Sequence, residues 1–361
     1  MKIKSLKLKD FRNYDFLKLD FAEHTNIFYG DNAQGKTNIL EAVYLLGTSK
    51  SHRGSKDRDM ISFGQEESHL ELIYEKNEIE YKIDMHLKKN SPKGIAINKM
   101  PLRRASELLG MVHFVFFSPE NLDIIKDGPG ERRKFMDLEL SGLDPLYLSD
   151  LTNYNRVLNQ RNHLLKEIAM KPALRDTLDL WDDQLAAYGN KIINRRSELI
   201  EQINSIIKEI HGKLTGQKEE LVLFYEPSNK TVPLEEAIKR NRDKDLRYKS
   251  TNVGPHRDDI CFMANGIDIR TYGSQGQQRT TALSLKLAEI EIIKTATKDH
   301  PVLLLDDVLS ELDSKRQNYL LDSIGDIQTL ITCTGLDEFI SYRFKVNKLF
   351  HIKSGQVINE N

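Results

Sequence analysis

Gly30-Asp31-Asn32-Ala33-Gln34-Gly35-Lys36-Thr37 holds the densest chemistry in the chain: glycine, four residues, glycine, lysine, threonine. Glycines at both ends let the backbone curl until its N–H groups face inward, and a following helix N-terminus adds donors, so the loop suits phosphates. Lys36 supplies a cation for the outer phosphates, and the Thr37 hydroxyl a ligand for Mg²⁺. A second set of candidates closes the apolar run Pro301-Val302-Leu303-Leu304-Leu305, which ends in Asp306 and Asp307. A carboxylate at the end of a buried strand can hold the Mg²⁺ that bridges β and γ phosphates, the role expected of Asp306. Asp307 then faces the attacking water as general base or orienter, which makes Lys36 and Asp307 the candidate catalytic residues. The alternative is a pair of caps for the next helix. Ser274-Gln275-Gly276-Gln277 precedes a helix expected from Thr280 to about Thr297, and a glycine turn there makes a second anion site, weak by itself.

These groups need elements to position them. Asn26 to Tyr29 reads as a short strand into the phosphate loop, and Asn38 to Leu46 as a helix out of it, with Gly47 as its stop. Strand, glycine loop and helix is the context the motif requires. Residues 1–21 alternate as a hairpin whose turn carries Arg12, either a solvated turn residue or a nucleotide contact. His69 to Tyr74 and Ile79 to Leu87 form another hairpin, and Met111 to Phe117 a buried strand. Asp144 before Pro145 starts a helix that runs to about Met170; Pro172 breaks it, and a second run goes from about Thr177 to Leu214. The mixed-charge stretch Lys239 to Arg247 reads as a solvated face. Leu221 to Tyr225 and Asp259 to Met263 read as strands, and Asn265-Gly266 as a tight turn.

Most of the chain separates the phosphate loop from Asp306, far more than a few βα units require. One nucleotide-binding lobe, 1–117 with 251–361, is therefore expected from both chain ends, with 118–250 inserted as a helical lobe or short helical hairpin arm. At 361 residues two lobes are also what surface-to-volume scaling favours. Net charge is −1, so any nucleic-acid surface must be a local patch rather than the whole molecule. No apolar run is long enough for a membrane span, and the start does not resemble a signal peptide. Cys261 and Cys333, far apart and without metal spacing, read as reduced core thiols of a cytoplasmic protein.

Taken together, DFRNY (Asp10 to Tyr14), GDNAQGKTN (Gly30 to Asn38), SPENLDIIKDGPGERRKFMD (Ser118 to Asp137), GPHRDD (Gly254 to Asp259), GSQGQQRT (Gly273 to Thr280) and LLLDDVLSELD (Leu303 to Asp313) resemble the RecF, SMC and ABC ATPase superfamily over nearly the whole chain. One position departs: Asp127 stands where the family pattern carries glycine. The resemblance implies an α/β fold, an ABC-type P-loop ATPase head with a mixed sheet and an antiparallel N-terminal sheet. It implies a recombination mediator that binds ATP, dimerises on it, turns it over slowly and binds DNA at gaps. RecR and RecO are the implied partners, with RecA loading as the outcome. It further implies that Ser274, Gln275, Gly276 and Gln277 act in trans on the γ-phosphate held by the other subunit. Lys88, Lys89, Lys93, Arg103, Arg104, Arg132 and Arg133 are candidates for DNA-phosphate contacts; Arg132 and Arg133 read equally as structural ion-pair partners.

Two rivals weaken on the same residues. A transporter ATPase subunit needs a histidine soon after the acidic strand, yet Glu311 to Phe350 holds none. An SMC-like structural protein needs coiled coils of hundreds of residues, and this arm is too short.

Overall fold

The structure, a computed structural model, describes residues 1–335 and 346–360. β1 (Lys2–Phe11) and β2 (Tyr14–Asp20) form the first hairpin. β3 (Thr25–Tyr29) feeds the phosphate loop, and α1 (Lys36–Thr48) leaves it. β4 (Glu67–Lys76) and β5 (Ile79–Lys88) pair along their whole length, followed by β6 (Gly94–Ile97) and β7 (Met100–Pro101). The buried strand is β8 (Phe114–Phe117), shorter than expected because Met111 to His113 lie outside it. Next come α2 (Asp123–Lys126), α3 (Pro129–Leu143), α4 (Pro145–Ile168) and α5 (Leu178–Thr215). After them run β9 (Leu221–Glu226), α6 (Leu234–Arg240), α7 (Arg242–Tyr248), β10 (Asp259–Ala264), β11 (Ile267–Asp268), α8 (Ile269–Tyr272) and α9 (Gln275–Thr297). The chain ends in β12 (Val302–Asp306), α10 (Ser314–Ile324), β13 (Thr329–Cys333), β14 (Val346–Lys353) and β15 (Gln356–Glu360).

One compact unit takes Met1–Asn121 and Glu289–Asn361. It holds an antiparallel sheet, β2-β1-β4-β5-β6-β7, and a mixed sheet, β15-β14-β3-β13-β12-β8, parallel except at the β14–β15 hairpin. α1 packs against β4 and β5 on one side and β8, β12 and β13 on the other. A helix between two sheets needs apolar residues all round rather than one stripe, and Ile39, Leu40, Ala42, Val43, Leu45 and Leu46 are each fully buried. Gly47 does not stop this helix, as the sequence suggests. It lies inside the last turn, where an added Cβ would stand 2.0 Å from the Phe114 ring. The stop is Ser49, left-handed at φ 60, whose N–H returns to the Leu45 carbonyl.

The other unit is Leu122–Ala288. Asp144 caps α4 as expected, its carboxylate accepting from the Leu146 N–H, and α5 packs along α4. The expected boundary at 250/251 falls inside this unit, because β10 pairs with β9 and His211 of α5 hydrogen-bonds Ser284 of α9 at 2.9 Å. The inserted segment is thus not purely helical. Two arginines anchor it. Arg161, fully buried, donates to Asp182 at 2.6 Å and to Asp245 at 2.7 Å. Arg196 donates to Asp137 at 2.7 Å and to the Pro255 carbonyl at 2.7 Å. Asp245 corrects the reading of 239–247 as a solvated face: it is fully buried, since without it the Arg161 charge would be left half paired.

Candidate functional site

Ligands of open α/β sheets gather beyond the carboxyl ends of parallel strands. Here those ends bring together Gly30 after β3, Asp306 and Asp307 at β12, Thr332 in β13, Ser118 to Glu120 after β8 and Ser354 after β14. β13 lies between the strand that carries the phosphate loop and the strand that carries the acids.

The loop is held from both flanks. Gly35, left-handed at φ 112, could take no side chain: a Cβ would stand 2.5 Å from the Asn13 amide nitrogen and 2.8 Å from the Tyr14 hydroxyl. Those same groups bond the loop, Asn13 donating to the Gln34 carbonyl at 3.0 Å and Tyr14 to the Gly35 carbonyl at 3.0 Å. On the other flank the β14–β15 turn donates backbone N–H groups to Gln34, Ser354 to its side chain at 2.6 Å and Gly355 to its carbonyl at 3.1 Å. Asp31, Asn32 and Ala33 form the exposed crest, Ala33 at φ 63. The Lys36 ammonium lies against the carbonyls of Gly30 and Asp31 at 2.5 and 2.7 Å. Burial pushes its pKa down, and nearby Asp307 and Asp306 oppose that shift.

The Thr37 hydroxyl donates to Asp306 Oδ1 at 2.8 Å, and the Thr332 hydroxyl donates to the same oxygen at 2.6 Å. Thr332 Oγ1 also accepts the Asp307 N–H at 3.0 Å. One threonine between the two strands therefore registers both acids. Asp307 is left-handed, φ 50, a conformation held against the usual preference. Burial raises the pKa of Asp306 and of Asp307 above the ordinary carboxylate range. The acids are not helix caps; that place belongs to Asp313, whose side chain accepts from the Lys315 and Arg316 N–H groups.

Arg12 is neither a solvated turn residue nor a free cation. Its guanidinium grips both Glu41 oxygens at 2.8 and 2.7 Å, the Asp59 carbonyl at 2.8 Å and Ser55 at 2.7 Å. Burial pushes Glu41 up, but Arg12 and the Ser51 hydroxyl outweigh it and hold the carboxyl below its ordinary range. Ser274 to Gln277 do not form a turn ahead of the helix. Ser274 is the N-cap of α9, and Gln275, Gly276 and Gln277 are its first turn. The Ser274 N–H donates to the Gln277 side chain at 2.9 Å, and the Gln277 N–H to the Ser274 hydroxyl at 3.3 Å. This reciprocal box starts the helix five residues earlier than periodicity suggests. The first three of these residues are exposed.

Among the DNA candidates, Lys88, Lys89, Arg103 and Arg104 are surface residues, Lys89 paired with Glu66 at 3.0 Å. Lys93 is half-buried, tied to Asp57 at 2.8 Å and the Ser49 carbonyl at 2.6 Å. Of its two readings Arg132 takes the structural one rather than the DNA contact: it is 4% exposed and bonds Asp259 at 2.5 Å together with the Ile124, Ile125 and Asp127 carbonyls. Asp127 thus serves through its main chain, which asks nothing of its side chain. Arg133 donates to the Asp258 carbonyl at 2.8 Å.

Sequence reasoning assigned no part to Asn13, Tyr14, Glu41, His52 or Ser354. Glu41 carried a signal: it is the one acid in an otherwise apolar helical run, and such a group needs a partner. His52 stacks on Phe116 at 4.2 Å with neither ring nitrogen hydrogen-bonded, and burial lowers its pKa to about 4, so the ring is neutral.

A phosphate loop at the end of a parallel strand, acids two strands away and a helix-capped Ser-Gln-Gly-Gln define a class, the P-loop heads of the SMC and ABC type. The model of the RecF/RecN/SMC N-terminal domain matches residues 2–352. The chain is 60% identical over 363 residues to the DNA replication and repair protein RecF of Lachnospira eligens, covering 100% of both chains. It is also similar to a solved structure of the recombination mediator protein RecF-ATP in the RecFOR pathway, with TM-score 0.93 and 38% identity, covering 100% of this chain and 97% of that one. An Smc head from Pyrococcus furiosus shares the fold alone, at TM-score 0.58 and 17% identity. The chain belongs to the RecF family.

Proposed function

We propose that Gly30 to Thr37 bind ATP with Mg²⁺, and that Asp307 orients water for slow hydrolysis. The observation that carries this is the 2.8 Å contact between Thr37 and Asp306, two hard oxygen donors already at the spacing of adjacent ligands. Held by them, Mg²⁺ would neutralise charge on the β and γ phosphates. Lys36 trades its loop carbonyls for phosphate oxygens, and Arg12 acts indirectly by fixing Glu41 and so α1. The short side chain of Asp307 limits its reach toward water, which suits a timing switch rather than a motor.

Two copies close on ATP, the exposed start of α9 in each, Ser274 to Gln277, meeting the γ-phosphate bound by the other. Loss of that phosphate removes these bonds and loosens the pair. Closure governs the hold on DNA at single-strand gaps, where the protein works with RecO and RecR in the cytoplasm to load RecA. Lys88, Lys89, Arg103 and Arg104 contribute phosphate contacts, so affinity is salt-dependent and weakly sequence-specific.

Sedimentation with and without ATP, for wild type and Lys36→Met, tests this reading. Wild type should double in mass with ATP and the variant should not; equal, ATP-independent mass in both overturns it. In a second series on gapped DNA, Lys88→Ala with Arg103→Ala should lower the slope of log affinity against log salt by about 1 for each DNA phosphate that is no longer neutralised.

A further inference from the structure

The outward face of the β4–β5 hairpin carries a donor set that the proposed nucleotide chemistry does not use. Strand alternation turns Ser68, Leu70 and Leu72 into the core and leaves Glu67, His69 and Glu71 outside. The register sets His69 directly opposite His86, and Glu67 precedes His69 by two residues on the same face. The two imidazoles stack with ring centres 3.9 Å apart and planes 21° from parallel. Glu67 reaches both: one carboxylate oxygen is 3.0 Å from His86 Nε2, the other 3.6 Å from His69 Nε2. One donor atom from each of the three residues lies within 4.8 Å of the other two.

A surface hydrogen-bond cluster would also bring a carboxylate to two histidines. Ligand geometry favours more than that. Donors bound at about 2.0–2.2 Å in a tetrahedron stand about 3.3–3.6 Å from one another. The two Glu67 oxygens stand 3.0 and 3.6 Å from the two imidazole nitrogens, near that value, so side-chain rotation has only to draw one oxygen and both nitrogens together from within 4.8 Å. The backbone beneath is two fully paired strands, so the donors are pre-positioned at little further ordering cost. Two imidazoles and one carboxylate select zinc, copper or nickel over magnesium or calcium.

We propose that Glu67, His69 and His86 form a binding site for a divalent transition-metal ion of the zinc class, water completing its coordination. The surroundings set its strength. Lys88 faces Glu67 and Lys9 of β1 faces His69 in the register, so two cations oppose the ion. Glu71 and Asp84 form the next rung, and Lys82 bonds both, at 2.7 and 3.2 Å, so they add little net attraction. The site is open and three-ligand, hence weaker than a closed four-ligand site, and selective by donor type.

Calorimetric titration of Zn²⁺ into the full-length protein without nucleotide, in excess Mg²⁺, tests the assignment. Wild type should show one site that Mg²⁺ does not displace. His69→Ala and His86→Ala should each weaken it at least tenfold, and His300→Ala, an exposed histidine elsewhere, should leave it unchanged. All three substituted positions lie outside the core, so metal-free melting should match wild type, while Zn²⁺ should raise the melting temperature of wild type and His300→Ala only. Absence of Zn²⁺ binding by wild type overturns the proposal, as does unchanged binding when His69 and His86 are replaced together.

Discussion

Arg161 and Lys36 are both cations held out of water, yet they are satisfied in different ways. Arg161 bonds Asp182, Asp245 and the Thr251 hydroxyl, so its charge is cancelled by carboxylates that also tie down Arg242 and Asn252. Lys36, 7% exposed, hydrogen-bonds two main-chain carbonyls and no carboxylate among the described residues, and burial pulls its pKa down against the pull of nearby Asp307 and Asp306. The acids differ likewise: Asp182 and Asp245 face guanidinium groups, whereas Asp306 faces two threonine hydroxyls and is pushed up by burial. An ion pair commits charge to the fold. A charge supported by neutral dipoles stays available, at a cost in stability, for a ligand of opposite sign.

That contrast can be attacked in order of effect. Arg161→Met should cost about 3–5 kcal/mol in urea unfolding, because it strips the buried Asp245 of its guanidinium and leaves Asp182 to Arg242 alone; a loss below about 1 kcal/mol would break the contrast. Arg12→Met, which strands the buried Glu41, should cost about 3 kcal/mol while nucleotide affinity in the folded fraction changes little; the reverse pattern would make Arg12 a nucleotide contact after all. Asp307→Asn should slow ATP hydrolysis roughly 100-fold, about 2.7 kcal/mol, with ATP-driven dimerisation intact; equal rates would remove Asp307 from the chemistry. The smallest effect on stability has the opposite sign. Asp306→Asn keeps both hydroxyl bonds, since both go to Oδ1, and should stabilise the metal-free protein by about 1 kcal/mol at neutral pH while abolishing hydrolysis. A carboxyl whose folded pKa is raised loses stability as pH rises through that value, so the variant's advantage should vanish in acid, where wild-type Asp306 is protonated. Melting curves against pH would show it.

Much of the site was legible because its parts are local. A phosphate loop needs its glycines, lysine and threonine in a row, and Asp306 with Asp307 ends an unbroken apolar strand. The edges were less legible because they depend on tertiary packing or on capping. Gly47 looked like a helix stop until Phe114 supplied the reason for its missing side chain. The start of α9 was masked by polar residues, among them Gln277, whose side chain accepts the Ser274 N–H in its own first turn and donates to Glu219. Arg132 read equally as a DNA contact and as an ion-pair partner, and the choice could not be made because that partner, Asp259, lies 127 positions away. No pattern in the sequence links those two residues, nor Gln34 to the turn at Ser354.

That last pairing has a consequence for synthesis. Gln34 is gripped by a hairpin 320 positions downstream, and β3 beneath it is flanked on both sides by strands from the late part of the chain. A nascent polypeptide therefore carries the Gly30–Thr37 motif and its Asn13 and Tyr14 braces long before the second flank exists. The second brace, Ser354 and Gly355 on Gln34, closes only when residues near 355 have left the ribosome, so the full set of contacts on the loop comes late in synthesis.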